Sequence, residues 1–248
     1  MTTAASPGLH ALVLADGDRP TQRGLDRAWP GWSDGAQYVV AADGGVRLAA
    51  DLGLRIDVWV GDGDSVEASD LEALRAAGVP VELASPDKDE SDTELAVLAA
   101  LGHGAAEVTI LGGLGGRRFD HALANVFLLT HPALLGRTIR LIDDRTRITV
   151  LAAPASAPDA GGASTAGTPG GPVRVELAGR PGDVVSLLPL GEGVDGVTTQ
   201  GLRYPLRGER LGAGPARGLS NIRTGPAATV AIRHGRLLIV ESPATLSP

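Results

Sequence analysis

Ile56-Asp57-Val58-Trp59-Val60-Gly61-Asp62-Gly63-Asp64-Ser65 is the stretch from which the fold can be read. An apolar, β-rich run feeds directly into a turn built of glycine and aspartate. Side chains of extended backbone alternate sides with period two, so Asp62 and Asp64, at the mouth of a strand, are expected to point the same way. A helical pattern (70–77) and a second β-rich run (79–83) follow. The chain then reaches Asp87-Lys88-Asp89-Glu90-Ser91-Asp92-Thr93-Glu94. Here Ser91 and Glu94 fit a capping box, in which the serine caps the third helical amide and the glutamate reaches back. This second acidic cluster therefore opens a helix.

The alternation extends in both directions. β-rich runs stand at 11–14, 38–41, 108–111 and 139–142, with helical patterns at 23–29, 46–52, 93–101 and 120–130. Ser69-Asp70-Leu71-Glu72 fits another capping box, and Gly78 and Gly102 stand where helices stop. Repeated strand-helix-strand units predict an α/β fold, a mostly parallel sheet flanked by helices. Beyond residue 145 the pattern changes to short β-rich runs at 148–151, 173–177, 184–188, 194–199, 229–232 and 237–241, separated by Gly/Pro turns. These predict a smaller all-β, sandwich-like domain. The expected division is an α/β domain over 1–145 and a β domain over 146–248. Residues 153–172, rich in Ala, Gly, Pro, Ser and Thr, bury too little to offset their ordering entropy. They are expected to form a mobile insertion in the β domain.

Composition narrows the functional classes. The 248 residues carry a net charge of −7 and no basic run, which argues against a nucleic-acid partner. Cysteine is absent, which excludes disulfides, thiolate metal sites and a cysteine nucleophile. No apolar run approaches the roughly 18 residues a membrane helix needs. Residues 1–8 lack the basic and apolar regions of a signal peptide, so a cytoplasmic location without a membrane partner is expected. Among 22 basic residues Lys88 is the only lysine. A compact ammonium suits sites that a planar guanidinium does not, although a single lysine can also survive by chance.

Four expected strands run into polar or glycine-rich turns. These are Asp16-Gly17-Asp18, Asp43-Gly44-Gly45, the stretch from Gly61 to Ser65, and Gly112-Gly113-Leu114-Gly115-Gly116-Arg117-Arg118-Phe119-Asp120-His121. In open parallel sheets ligands bind beyond the carboxyl ends of the strands, where such turns converge. Glycines let backbone amides approach a phosphate, and a helix N-terminus favours its charge. Each piece alone has an ordinary explanation as a turn, a cap or a surface residue. Their recurrence at one structural position gives them weight. The glycine run is not a Walker loop, and Arg118 breaks the dinucleotide fingerprint. Magnesium usually binds through one or two carboxylates plus substrate phosphates. Asp62, Asp64 and Asp92 are its candidate ligands, with Lys88 and Arg117 available to neutralise phosphate oxygens. An acidic crevice repels polyphosphate unless a metal bridges the two, so metal dependence is expected.

Ala42-Asp43-Gly44-Gly45, Gly61 to Ser65, Lys88 to Ala96 and Gly115 to His121 together resemble motifs of the thiamine pyrophosphokinase family. So do Val185 to Leu190, Gly196 to Leu206 and Arg217-Gly218-Leu219-Ser220-Asn221. The order matches, and the likeness spans most of residues 10–241. The resemblance implies an α/β domain carrying ATP and a β-sandwich helping to bind thiamine. It also implies a homodimer with active sites between subunits, and Mg²⁺-dependent conversion of ATP and thiamine into AMP and thiamine diphosphate. It sets Asp62, Asp64 and Asp92 at the magnesium positions. Lys88, Asp89, Gly44, Gly113, Arg117, Asp120 and His121 fall on the nucleotide side, and Ser220 and Asn221 on the thiamine side. Tyr204 is the candidate stacking partner, since no tryptophan lies beyond Trp59.

The implied chemistry is in-line attack by the thiamine hydroxyl oxygen on the β-phosphorus of ATP, carried by positioning and charge neutralisation. Catalytic candidates are Asp43, Asp64, Lys88 and Asp89, and a general base, if one is needed, is open among the three aspartates. Two other readings fit the acids: a glycosyltransferase-like enzyme using Asp62-Gly63-Asp64 with a nucleotide sugar, and a non-catalytic thiamine or nucleotide sensor. A haloacid-dehalogenase-type phosphatase fits less well, because Ser65 and not Thr or Val follows Asp64.

Overall fold

The computed structural model describes residues 8–153 and 171–244. Residues 1–7 and nearly all of the expected insertion at 153–172 lie outside the described residues. The chain forms two compact units, Met1–Arg145 and Thr146–Pro248.

In the first unit six strands form one parallel sheet: β1 (Leu9–Leu14), β2 (Ala36–Ala42), β3 (Val58–Gly61), β4 (Val81–Leu83), β5 (Ala105–Leu111) and β6 (Thr138–Ile142). Their spatial order is β4-β3-β2-β1-β5-β6. Parallel neighbours need crossovers, supplied by α1 (Gln22–Ala28), α2 (Val46–Leu52), α3 (Ala68–Ala76), α4 (Asp92–Gly102) and α5 (Phe119–Leu128). β1 is apolar without a break over 11–14 because it lies in the middle of the sheet and is buried along almost its whole length, and its one polar residue, His10, is bonded to Thr109 Oγ1 at 2.8 Å. The core packs Trp29, Trp32 and Trp59 with Leu12, Leu14, Leu25 and Leu48. Strand order reverses between β1 and β5, the switch point at which such sheets bind ligands.

Two helix ends differ from expectation. α4 is capped as its sequence predicts, Ser91 Oγ accepting from the Glu94 amide at 3.2 Å. α3 instead starts at Ala68 with Glu67 as its N-cap, leaving Ser69 inside the helix. The start is set by Val66, Leu71 and Leu74, which pack against the core, and tertiary packing overrides the local box. α4 ends on Gly102, but the residue that turns left-handed is Gly104, at φ +95°.

Among the described residues the second unit is antiparallel throughout. It contains β7 (Arg147–Ala153), β8 (Val173–Ala178), β9 (Val184–Gln200), β10 (Arg207–Gly212), β11 (Asn221–Ile222), β12 (Ala227–Ile232) and β13 (His234–Ser242). The runs expected at 184–188 and 194–199 are one strand. Gly191, Gly193 and Gly196 take φ of 70°, 133° and 69°, which bends β9 without ending it. Its first half pairs with β13 and its second with β12 and β10, so one strand borders both halves of the core around Val185, Leu187, Val194, Val197 and Val230. β10 was not expected, because of its six residues only Leu211 is buried and the rest read as a polar turn. Among the described residues no helix is long and apolar enough to cross a membrane.

Candidate active site

Three carboxylates converge at the carboxyl end of the parallel sheet. Asp43 follows β2, Asp62 follows β3, and Asp92 opens α4, which packs on both strands. Each offers one oxygen, and the three atoms lie within 4.8 Å of one another. Asp43 is buried and left-handed at φ +45°, a conformation uncommon outside glycine and held here by packing. Its carbonyl accepts from the fully buried Trp59 indole at 2.9 Å, so a core tryptophan pins the backbone of a site residue.

Lys88 stands between the other two acids. Its Nζ donates to Asp62 Oδ2 at 3.0 Å and lies 3.0 Å from Asp92 Oδ1, the latter a contact of charge without hydrogen-bond alignment. The Lys88 hydrogen bond holds the Asp62 carboxyl below its usual range, helped by the Asp64 amide. Burial pulls the Lys88 ammonium down, but its hydrogen bond to Asp62 and the close negative charges of Asp92 and Asp62 outweigh that and raise it. Asp43 is pushed up, by burial first and then by the charges of Asp92, Asp64 and Asp62; the Ser65 hydroxyl tempers the shift. Asp43 Oδ1 is buried with no hydrogen-bond partner among the described residues. An orphaned carboxylate oxygen beside two more hard oxygens is a donor set that fits a small divalent cation.

Asp64 is not part of this trio. β3 ends at Gly61, and Gly63 turns at φ +83°, so the period-two argument for Asp62 and Asp64 does not apply. Asp64 is exposed, with its amide donating to Asp62 Oδ1 at 3.2 Å and its Oδ1 accepting from Ser65 Oγ at 2.9 Å. Asp89 is exposed in the loop before α4.

The surrounding loops lock onto one another. Gly44 has no Cβ because one would collide with the Asp16 carboxylate. Arg47, at the second position of α2, pairs with Asp16 at 3.2 Å and donates to the Ser65 carbonyl, tying the loop after β1 to the loop after β3. Gly113 is equally tight, since a Cβ there would come within 2.6 Å of Leu141, and its carbonyl accepts from buried Asn125 at 2.9 Å. The glycine run closes on the first loop. Gly17 N donates to Gly112 O, Asp18 N donates to Leu114 O, and Gly116 N donates to Asp18 Oδ1 at 2.9 Å. Arg117 and His121 are exposed at the start of α5. Arg118 grips Asp120 through Nε at 3.0 Å and through Nη2, and this holds the Asp120 carboxyl down to about 2. Sequence reading passed over Arg47 and Asn125. Asn125 had a signal, as a lone amide in an apolar helical run.

In the second unit Asn221 is a clamp. Its Oδ1 accepts from the Tyr204 and Ile222 amides at 3.0 and 2.9 Å, and its Nδ2 donates to the Tyr204 carbonyl at 2.7 Å. Tyr204 is thereby held 62% exposed, with the Arg203 guanidinium 5.8 Å from its ring centre. Ser220 is left-handed at φ +55°, its amide donating to Ser186 Oγ at 3.0 Å.

Comparison with known proteins agrees with this layout. The family described as thiamin pyrophosphokinase, catalytic domain, matches residues 31–141. Thiamin pyrophosphokinase, vitamin B1 binding domain, matches residues 173–237. A thiamine pyrophosphokinase of Bacillus subtilis is 25% identical over 212 residues, covering 86% of this chain and 90% of that protein. The crystal structure of the Bacillus subtilis thiamine pyrophosphokinase shares the fold at TM-score 0.76 and 24% identity, covering 94% of this chain and 99% of that one. One from Geobacillus thermodenitrificans gives TM-score 0.72 at 25% identity, covering 94% and 97%.

Proposed function

We infer that this chain, which belongs to the thiamin pyrophosphokinase family, transfers the pyrophosphoryl group of ATP to the hydroxyl of thiamine, giving thiamine diphosphate and AMP. The observation that carries this reading is the trio of Asp43, Asp62 and Asp92 with Lys88 between two of them, all within the stretch that matches the catalytic domain. We assign residues 1–145 to nucleotide and metal, and 146–248 to thiamine. The cytoplasm, rich in ATP and Mg²⁺, is the proposed location.

Mg²⁺ is the metal that suits three carboxylate oxygens, and when bound it supplies positive charge to the phosphates. The side chains supply the rest. Asp62 and Asp92 keep Lys88 cationic, and its ammonium counters the charge that builds on phosphate oxygens. Arg117, just before α5, adds a second cation, and Asn125 fixes the Gly113 carbonyl in the same glycine-rich loop. Asp120 and His121 open the same helix on the nucleotide side. The Tyr204 ring offers a face to the pyrimidine of thiamine, on a backbone held by Asn221, with Ser220 alongside. Asp43 serves as a metal ligand, which leaves the exposed Asp64 and Asp89 as candidates to receive the hydroxyl proton. Positioning and charge neutralisation do most of the work.

The resemblance also implies a homodimer with active sites between subunits. α5, which carries Asp120 and His121, shows Phe119, Leu123 and Phe127 at helical spacing, 78%, 41% and 52% exposed. Such a stripe on an active-site helix suits burial by a second copy.

The test is incubation with thiamine, ATP and Mg²⁺ followed by chromatography, with and without EDTA. Thiamine diphosphate and AMP should appear in equal amounts and vanish with EDTA. Thiamine monophosphate with ADP, or no product, overturns the reading.

A further inference from the structure

The second unit has a basic face that this chemistry does not use. On the side of the sheet away from the core, Arg207 of β10 lies opposite Thr198 of β9, Thr198 opposite Ala231 of β12, and Ala231 opposite Arg174 of β8. Neighbouring positions Thr199, Val230 and Leu177 are buried, which sets this row on the outer face. Arg233 follows at the end of β12 with its aliphatic stem laid over Gly196, where a Cβ would come within 2.6–2.9 Å of the stem. Among the described residues Arg174, Arg207 and Arg233 make no ion pair.

A groove of about 680 Å³ opens here, lined by Thr198, Gln200, Leu202, Pro205, Arg207 and Arg233 among others. No acid lines it. Glu176 stands one row away, opposite Thr229, and the nearby Asp195 carboxylate is taken by Arg210 at 2.8 Å. Thr198 offers a short side chain between the long cationic side chains of Arg207 and Arg233. Guanidinium groups stay charged at any working pH and grip phosphate oxygens two at a time. The volume suits a ligand of nucleotide size.

We propose that this groove is a second site, independent of metal, for a small molecule bearing a diphosphate or triphosphate group. Its electrostatics are the reverse of the carboxylate trio, which repels a polyphosphate unless a cation bridges them. The proposal stands whether or not the reaction above is correct.

That reversal makes the test direct. Inorganic diphosphate is titrated calorimetrically into the full-length protein in EDTA, where the carboxylate site has no metal to bind through. Saturable binding is expected, weakened at least tenfold in Arg207→Gln/Arg233→Gln and kept in Asp62→Asn/Asp92→Asn. Both arginines are exposed, so the double variant should melt as the parent does; if it does not fold, Arg233→Gln alone is read in its place. Competition with ATP and with a non-nucleoside diphosphate ester separates the two sources of the group, and displacement by either supports the site. Absence of saturable binding, displacement by neither, or binding that survives the arginine changes but fails in the aspartate variant overturns it.

Discussion

A single ammonium compensates two of the three clustered acids, since Lys88 Nζ lies 3.0 Å from both Asp62 and Asp92. A metal at the trio has to share those oxygens with it. Lys88→Met should therefore tighten Mn²⁺ binding without nucleotide, read by electron paramagnetic resonance, while depressing turnover. Looser Mn²⁺ binding would show the lysine supporting the metal instead of competing with it. Asp43 carries the opposite strain. Burial raises its pKa, so between the ordinary aspartate value and the raised one the folded state holds the extra proton. Stability then falls as pH rises through that window, and the penalty persists at neutral pH. Asp43→Asn should raise the melting temperature of the metal-free protein at pH 7 by about 2 °C or more. It should also erase the stabilisation that Mg²⁺ confers on the parent. A lower melting temperature in EDTA would show that the carboxylate is satisfied in the fold. Asp62 has the other sign: depressed by Lys88, it contributes stability above the ordinary aspartate value that is lost as pH falls below it.

Elements set how closely these residues meet. α4 places Asp92 in its first turn, and its start depends on the Ser91 cap at 3.2 Å from the Glu94 amide. Ser91→Ala should cost about 1 kcal/mol in urea unfolding. Because the start of α4 also carries Asp92, the same change should weaken Mn²⁺ binding. A stability loss with metal affinity intact would separate the cap from the site. This cap was readable from four residues, since capping is a local exchange of hydrogen bonds. The start of α3 was not, because Val66, Leu71 and Leu74 gain more from the core than Ser69 does from capping. The single bent β9 was hidden for a related reason. Glycines that look like a break between strands supply left-handed bends within one.

At the scale of the molecule, the apolar stripe of α5 predicts an assembly. Light scattering should give twice the 25.2 kDa chain mass for the parent and one chain for Phe119→Glu/Phe127→Glu. A monomeric parent, or a variant that stays dimeric, would remove the proposed contact. The sequence by itself determined the class of each half, because hydrophobic periodicity reports directly on which faces are buried. It also determined that Asp43, Asp62, Lys88 and Asp92 belong to one strand-end neighbourhood, since parallel crossovers bring successive strand ends to one edge. Only the tertiary structure decided which three acids meet. Extended backbone would set Asp64 on the same side as Asp62, but β3 stops at Gly61 and a left-handed Gly63 turns the chain. Asp43 took the third place instead, buried against the end of β3 by Trp59. Side-chain direction past a strand end depends on turn geometry and distant packing, and neither has a period to read.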